Sequence, residues 1–412
     1  MSEVDAGTVQ ELRIDASRPL AEDPGTGHNR WHPGIEPLLR VRPPETVVLE
    51  LRDGLDGQVD ASTQPEVFRA HPGRGHPLGG PIAVEGAQPG DALVLELLAI
   101  EPDRYGFTVV MPDLSLLAHR SLEPFIAHWE IADGYARSEQ LPGVAIPGEP
   151  FLGCVGVAPS LAQLRIVDAR ERALEAALGT PFAAPTSAGA VPAVEPIASE
   201  GLHTVPPREC GGNLDIRQLG VGTKILLPVQ VPGGLASVGD AHFAQGDGEV
   251  CVTAIEIRAR ATLRLGLRKA SELGFSLSAP AFERPAGAPS WQSGRAAAAS
   301  AAVVGAGASG GTGASGGLGA PSGAGVLARE RPVFATVGVS VDEHGVNHRL
   351  GVRTAAAAAL GQLVDWLVAT RGWRPEQALV LASVAADMRI SSIVNNPNAV
   401  VSAVLPLDVF TE

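Results

Sequence analysis

Short apolar runs recur along the first two thirds of the chain, and Pro, Gly and Asp residues separate them. Runs bounded by turn residues in this way predict β-strands over residues 46–52, 92–100, 224–231 and 248–257. These runs are shorter and richer in β-branched residues than most helices. The pattern therefore predicts a body built mainly of β-sheet.

Helical periodicity is rarer and is concentrated near the C-terminus. Residues 161–178 carry apolar positions at helical spacing and stop before Gly179, whereas residues 354–369 are rich in Ala and Leu. Pro375 then opens a further helix over residues 376–387, as a first-turn proline can. The pattern predicts a mainly β fold with an appended α/β part, a sandwich-like body packed against a C-terminal helix pair.

Residues 296–325 differ from the rest of the chain in composition. Ala, Gly and Ser supply 25 of these 30 residues, and none is charged. Such a segment buries too little apolar area to offset its ordering entropy. We therefore expect a β-rich catalytic body over 1–290, a flexible loop or linker over 291–327 and a C-terminal α/β part over 328–412.

The charge balance excludes several classes of partner. The formal net charge is −14, from 31 Lys and Arg against 45 Asp and Glu, so neither nucleic acid nor an anionic membrane is an expected partner. Three cysteines without CxxC spacing argue against a disulfide framework. The acidic N-terminus lacks the apolar run of a secretory signal, and no stretch has the composition of a membrane span. We expect a cytoplasmic protein.

Several short motifs match known signatures by chance. Residues 305–310 fit the dinucleotide-binding GxGxxG pattern, and GxSxG occurs around Ser309 and Ser315, but neither has the strand and helix that such motifs require. A Ser-Ser-Lys amidase would need Lys269, and the surrounding pattern is absent. Cys210 is either a nucleophile with a distant histidine or a small buried apolar residue.

Polar residues are densest between positions 206 and 249. Asn213 and Asp215 follow two glycines, and Asp240 and His242 are alternate residues that would face the same side of a strand. Glu249 returns through a tight Gly-Asp-Gly turn. Carboxylates with an imidazole suit a divalent metal with mixed oxygen and nitrogen ligands, and they equally suit acid–base work on a carbonyl.

A second group of polar residues lies nearer the N-terminus. His28 and Trp31 belong to a loop, because the following Pro-Gly pair prevents a helix, and they either line a pocket or pack on the surface. Asp56 and His76 occur in glycine-rich stretches further on. Glu85 ends a short apolar strand, where a buried carboxylate would need a partner, a metal or a proton.

Four strings occur in a characteristic order: GHNRWHPGI, HPLGGPIAVEGAQPGD, PPRE with GGNLD, and GDAHFAQGDGEVCVTAIEI. In this order they resemble the acetamidase/formamidase family. The resemblance implies a β-rich enzyme with an appended α/β part that hydrolyses short amides to a carboxylate and ammonia. It also implies a cytoplasmic homo-oligomer with a divalent metal, which is often zinc.

The resemblance also suggests roles for the residues that match it. Two departures are the long Gly/Ala/Ser tract and Cys210, where relatives commonly have a polar residue. The expected metal ligands are Asp56, Asp215, Asp240 and His242. The expected catalytic groups are Glu249 or Glu85 as the proton-transfer residue and Asn213 as an oxyanion donor. The expected substrate contacts are His28, Trp31 and His76.

The expected reaction is metal-assisted hydrolysis, because a cation activates both water and the amide carbonyl. Two other classes remain open. A β-rich metal- or ligand-binding protein can keep such a fold without catalysis. A metal-dependent oxidoreductase would use two histidines and one carboxylate, for which His76, His242 and Asp240 qualify.

Overall fold

The computed structural model describes residues 9–66, 68–71, 73–179, 187–284 and 332–411. Its strands up to residue 157 are β1 Gln10–Leu12, β2 Arg30–Trp31, β3 Leu39–Val41, β4 Glu45–Leu51, β5 Leu78–Val84, β6 Ala92–Val110, β7 Phe125–Ala132, β8 Tyr135–Arg137, β9 Ile146–Pro147 and β10 Phe151–Val157. The later strands are β11 Leu202–His203, β12 Gly211–Asn213, β13 Lys224–Pro228, β14 Ala236–His242, β15 Glu256–Arg268, β16 Ala281–Glu283, β17 Val333–Val339, β18 Asp387–Ser392 and β19 Val400–Pro406. The α-helices are α1 Leu161–Leu178, α2 Ile197–Glu200, α3 Ala270–Leu273, α4 Val352–Arg371 and α5 Pro375–Ala385.

A single sheet forms the centre of the body. Fourteen of the described strands belong to it, and its continuous path runs β12-β10-β14-β15-β6-β7-β8-β9. The two longest strands, β6 and β15, pair antiparallel along most of their length, so that Leu263 faces Leu97 and Ala261 faces Ile100. Alternate residues of β15 are buried, as expected of a sheet with one face on a core.

Three of the four predicted strands are confirmed, since strands cover most of residues 46–52, 92–100 and 224–231. The strand predicted over 248–257 is wrong: residues 243–255 form a loop, and β15 begins only at Glu256. The backbone explains the difference, because Glu249 and Val252 have φ of 43° and 92°, which no β-strand accommodates. This loop carries Glu249 towards the end of β14.

Helix α1 occupies the residues that its periodicity predicted. Ser160 caps its N-terminus by accepting a hydrogen bond from the Gln163 amide, and Gly179 ends it in the left-handed conformation. Leu164 and Val167 are its buried residues. They pack in a small core with Trp31, and so α1 covers one side of the sheet.

The C-terminal part combines a three-stranded sheet, in the order β17-β19-β18, with the helix pair α4 and α5. Gly338 of β17 permits close approach of α4, because a Cβ at this position would overlap the backbone of Ala355. Helix α5 is buried along most of its length and contacts β6 and β7. A mainly β fold with a C-terminal helix pair is therefore confirmed.

The Gly/Ala/Ser tract predicted as a linker, 291–327, lies outside the described residues. On either side of it, the described parts share one hydrophobic core, which includes Leu97 of β6 and Leu379 of α5. The division of the chain at this tract stays a prediction. Among the described residues, no helix combines the length and the hydropathy needed to cross a bilayer.

Candidate active site

The polar residues at the end of β14 form the centre of the candidate site. Asp240 and His242 are alternate residues, and Nε2 of His242 lies 3.5 Å from Oδ1 of Asp240. Both side chains are buried. Asp240 has a φ of 56°, in the left-handed region that non-glycine residues seldom occupy, so its backbone is held there by its surroundings.

Glu256 is a member of this site that the sequence did not single out. It is the first residue of β15 and lies opposite His242 in the antiparallel pairing. Its Oε1 accepts a hydrogen bond from the Ala254 amide and lies 3.2 Å from Nε2 of His242. The available signal was a carboxylate within an apolar run, which needs a partner when it is buried.

Gln245 connects two of the predicted ligands. Its Oε1 accepts from Nδ1 of His242 at 2.9 Å, and its Nε2 donates to the backbone carbonyl of Asp215 at 2.9 Å. The first bond keeps a proton on Nδ1 and directs Nε2 towards the carboxylates. Ligand atoms of Asp215, His242 and Glu249 lie within 4.8 Å of one another.

Two glycines make room for these side chains. A Cβ on Gly153 of β10 would lie 2.7 Å from Oδ1 of Asp215 and 2.8 Å from Oδ2 of Asp240. A Cβ on Gly54 would overlap Asp240 and would lie 3.0 Å from Oε2 of Glu256. Any larger residue at either position would displace the carboxylates.

A further group of residues borders the same site. Nδ1 of His76 lies 3.7 Å from Oδ2 of Asp240 and 3.3 Å from Sγ of Cys154. The thiol of Cys154 also lies 3.3 Å from Oδ1 of Asn213, its partner across the β10–β12 pair. Sequence reasoning missed Cys154, whose only signal was a cysteine between Gly153 and Gly156 in an apolar run.

Asp240 and His242 strongly affect each other's pKa values. Burial opposes ionisation of Asp240, but His76 and His242 outweigh it and hold the pKa of Asp240 below its usual range. Burial likewise opposes protonation of His242, and Glu256 with Asp240 outweighs it, raising the pKa of His242 well above its usual value. The site therefore favours a positive charge beside Asp240.

The other three carboxyl groups are harder to ionise. Burial, with repulsion from Asp240, raises the pKa of Asp215 to about 6. Burial raises the pKa of Glu256 to about 7, and burial with repulsion from Asp215 raises the pKa of Glu249 well above its usual value. Four carboxyl groups thus share a site whose positive partners within the described residues are two histidines, and they compete for protons.

The structure leaves two predicted residues outside this cluster. Glu85 lies at the far end of β5 from His76, a distance of about 20 Å for a strand of this length, and its exposed carboxylate pairs with Arg42 at 3.1 Å. Both oxygens of Asp56 accept from the Leu20 amide, at 2.9 and 3.1 Å. Asp56 therefore anchors the N-terminal segment behind Gly54. We assign neither Glu85 nor Asp56 a role in catalysis or in metal binding.

The predicted substrate contacts separate into two locations. His76 borders the carboxylates, whereas His28 is buried with its Nε2 2.7 Å from the Ser237 hydroxyl. Trp31 packs edge-on against the ring of His28, in the core beneath β10. Cys210 is buried in the main core, and burial raises the pKa of its thiol to about 11, which fits a small apolar residue.

The arrangement fits a metal ion or an acid–base centre. In this cluster, three buried polar atoms make no hydrogen bond of standard geometry within the described residues: Oδ1 of Asp215, Nε2 of His242 and Oε2 of Glu256. Buried polar atoms normally have a partner, and a bound cation would satisfy oxygen and imidazole nitrogen atoms together. His76, Asn213, Asp215 and Glu249 remain partly exposed, so a small molecule can reach the cluster from their side.

The sequence of this chain is similar to a known enzyme family and to individual relatives within it. The model of the acetamidase/formamidase family matches residues 13–412. A formamidase from Methylophilus methylotrophus is 30% identical over 98% of this chain and 93% of its own length. An acetamidase from Mycolicibacterium smegmatis is 34% identical over 58% of this chain and 64% of its own length.

Solved structures resemble the fold to different degrees. A γ-lactamase from Delftia acidovorans superposes with a TM-score of 0.83 and 27% identity, covering 98% of this chain and 94% of that one. An acetamidase from Bacillus halodurans gives a TM-score of 0.50 at 22% identity, over 93% of this chain and 96% of that one. The second likeness supports the fold alone.

Proposed function

Because this chain belongs to the acetamidase/formamidase family and is a hydrolase acting on short linear amides, we propose that it cleaves them with a bound divalent metal, best fitted by zinc. The observation that carries this proposal is the set of buried ligand atoms without partners at the end of β14. Formamide and acetamide are the substrates that its relatives suggest.

The proposed ligands are Asp215, Asp240 and His242, together with Glu256. Their carboxylate and imidazole atoms are the types that zinc binds. Gly153 and Gly54 keep the space between them open. A cation in that space would lower the pKa of a water molecule and polarise the amide carbonyl.

Glu249 is the proposed proton-transfer residue. Its raised pKa makes its carboxylate a stronger base than an ordinary glutamate, and its partial exposure gives it access to the reacting molecules. It would take a proton from the attacking water and deliver it to the nitrogen as the carbon–nitrogen bond breaks. Without that proton, ammonia would have to leave as an amide anion.

Asn213 is the proposed oxyanion donor. Its Oδ1 faces Sγ of Cys154, and its NH₂ group is available to donate. A donor of this kind stabilises the negative charge that develops on the carbonyl oxygen when water adds to the carbon. His76, at the border of the same cavity, would contact the substrate.

A cyclic amide is a second candidate substrate. The γ-lactamase from Delftia acidovorans matches the whole fold far more closely than the acetamidase structure does. Hydrolysis of a γ-lactam breaks the same type of bond, but the amine stays attached to the product. The two substrates are therefore distinguished by whether ammonia is released.

We also propose that the protein is a cytoplasmic homo-oligomer. The C-terminal sheet supports assembly, since Val333, Val337 and Val339 are exposed along one side of β17, and Ile390 is exposed on β18. A second copy of the chain could cover these side chains. Sedimentation equilibrium on the preparation used for assays would give the number of chains.

The test of the catalytic proposal compares metal-replete and chelated protein on formamide, acetamide, propionamide and a γ-lactam. Ammonia release is measured for the first three, and the new primary amine for the lactam. We expect turnover of at least one linear amide that disappears on chelation and returns with zinc. Turnover that survives complete removal of metal would overturn the metal-assisted mechanism.

A further inference from the structure

The two carboxylate oxygens of Asp240 face different neighbours. Oδ1 lies 3.5 Å from Nε2 of His242, on the side of Glu256. Oδ2 lies 3.7 Å from Nδ1 of His76 and 3.8 Å from Sγ of Cys154. The cluster therefore has two compartments that share one carboxylate, and the mechanism described above places a metal ion in the first compartment alone.

The second compartment has the dimensions of a metal site. Its three ligand atoms form a triangle with sides of 3.3, 3.7 and 3.8 Å, joining the atoms of His76, Cys154 and Asp240. A tetrahedral zinc ion with bonds of about 2.0 to 2.3 Å separates nitrogen, sulfur and oxygen ligands by about 3.3 to 3.6 Å. The side chains thus already lie at nearly the required separations.

The surroundings of Cys154 differ from those of the other two cysteines. Sγ of Cys251 lies near the backbone carbonyls of Val109 and Thr253, and Cys210 belongs to the main apolar core. Sγ of Cys154 instead faces an imidazole nitrogen, an amide oxygen and a carboxylate oxygen. An imidazole nitrogen and a carboxylate oxygen are metal-ligand types, whereas the polar neighbours of Cys251 are backbone carbonyls and the Thr253 hydroxyl.

We propose that Cys154, His76 and Asp240 bind a second divalent metal ion, adjacent to the first, with the Asp240 carboxylate bridging the two positions. The proposal rests on the proposed function, because it shares Asp240 with the first position. The thiol proton passes to solvent when sulfur binds the ion. A thiolate ligand favours zinc or cobalt over magnesium, calcium or manganese, and paired ions are a known arrangement in hydrolases.

The test uses the full chain loaded with Co²⁺, because cobalt bound to a thiolate gives a charge-transfer band in the near ultraviolet. We expect the wild-type protein to bind two ions per chain and to show this band. Cys154→Ser should lose the band and bind one ion per chain. The matched control Cys210→Ser, which also changes a buried cysteine to serine, should keep the band and both ions.

Failure of this inference is distinguishable from failure of the proposed function. One ion per chain without the band, in a protein whose amide turnover needs metal, would overturn the second site and leave the first intact. No bound ion at all would overturn both. A band that persists in Cys154→Ser would overturn the assignment of Cys154.

A second measurement avoids dependence on the variant's folding. X-ray absorption at the zinc edge of the wild-type holoenzyme should show sulfur at about 2.3 Å from zinc, averaging about half a sulfur per ion. Only nitrogen and oxygen neighbours would overturn the proposal even if Cys154→Ser did not fold.

Discussion

Asp215 and Arg217 are two residues apart, yet they belong to buried charge clusters of opposite design. The guanidinium of Arg217 pairs with Glu149 at 2.7 Å and also with Asp387 of β18. Asp215 has no arginine or lysine partner within the described residues, and its nearest charged neighbours include the carboxylate of Asp240. One cluster supplies its own cation, whereas the other concentrates carboxylates around two histidines.

This difference separates charges that hold the fold from charges that serve a ligand. Arg217 joins the β-body to the C-terminal sheet through Asp387, so its charges are matched within the protein. The carboxylates near Asp215 repel one another and lie in a buried position, which lowers the stability of the ionised, metal-free protein. A fold that keeps such a cluster gains from it only when a cation or a proton is present.

The largest expected effects on activity and stability come from changing one residue in each of these two clusters. Asp215→Asn removes a proposed ligand and one of the repelling charges. We expect kcat/KM for the preferred amide to fall about 10³-fold, or about 4 kcal/mol. We expect the free energy of unfolding of the metal-free protein to stay the same or to rise. Steady-state kinetics and urea denaturation measure the two quantities.

The matched variant Arg217→Met should behave in the opposite way. It removes the buried guanidinium that pairs with both Glu149 and Asp387, so we expect the free energy of unfolding to fall by about 3 kcal/mol. The metal content of the folded protein should not change. If Asp215→Asn destabilised the metal-free chain as strongly as Arg217→Met does, the contrast between the clusters would be wrong.

A smaller effect is expected from filling the space that the acidic cluster keeps open. In Gly153→Ala, the new methyl group would meet Asp215, Asp240 and His242 at 2.7 to 2.9 Å. Because the carboxylates must shift, we expect kcat/KM and metal affinity each to fall about 10²-fold. Gly266→Ala is the control, since its methyl group would meet Val94 at 3.5 Å, an ordinary contact. Equal losses in both variants would contradict a specific role for Gly153.

The sequence predicted the fold where the signals are local. Helix α1 follows from its apolar periodicity and from Gly179 as its end. The loop over 243–255 could not be predicted from hydropathy, because its apolar residues resemble a strand while Glu249 and Val252 adopt positive φ. That conformation depends on contacts with segments that are distant in sequence.

In the candidate site, too, the spacing of residues in the sequence predicted only contacts between residues that are close along the chain. Asp240 and His242 lie together, as their alternate spacing indicated. Glu256 and Cys154 acquire their positions only through pairing with other strands, opposite His242 and Asn213 respectively. Cross-strand register, which the sequence does not display, decides both cases. Glu85 was selected as a carboxylate ending an apolar strand and through the family resemblance, and the length of β5 places it at the other end of that strand.

The smallest expected effect is on the pH dependence of stability, and it contrasts two buried histidines. His242 lies among carboxylates, whereas His28 has a serine hydroxyl as its partner, and burial lowers the pKa of His28 to about 4. Between that value and the ordinary value of 6.5, the unfolded chain binds more protons than the folded chain, so stability falls as the pH falls through this range.

We expect wild-type protein to lose about 2 kcal/mol of unfolding free energy between about pH 7 and about pH 5 through His28. His28→Gln can keep a hydrogen bond to Ser237 but does not titrate, so it should lack this part of the loss. Urea denaturation of both proteins across the range measures the difference, in which the contributions of all other groups cancel. Parallel pH profiles would mean that His28 is protonated without penalty in the folded state, and burial alone would then not distinguish it from His242.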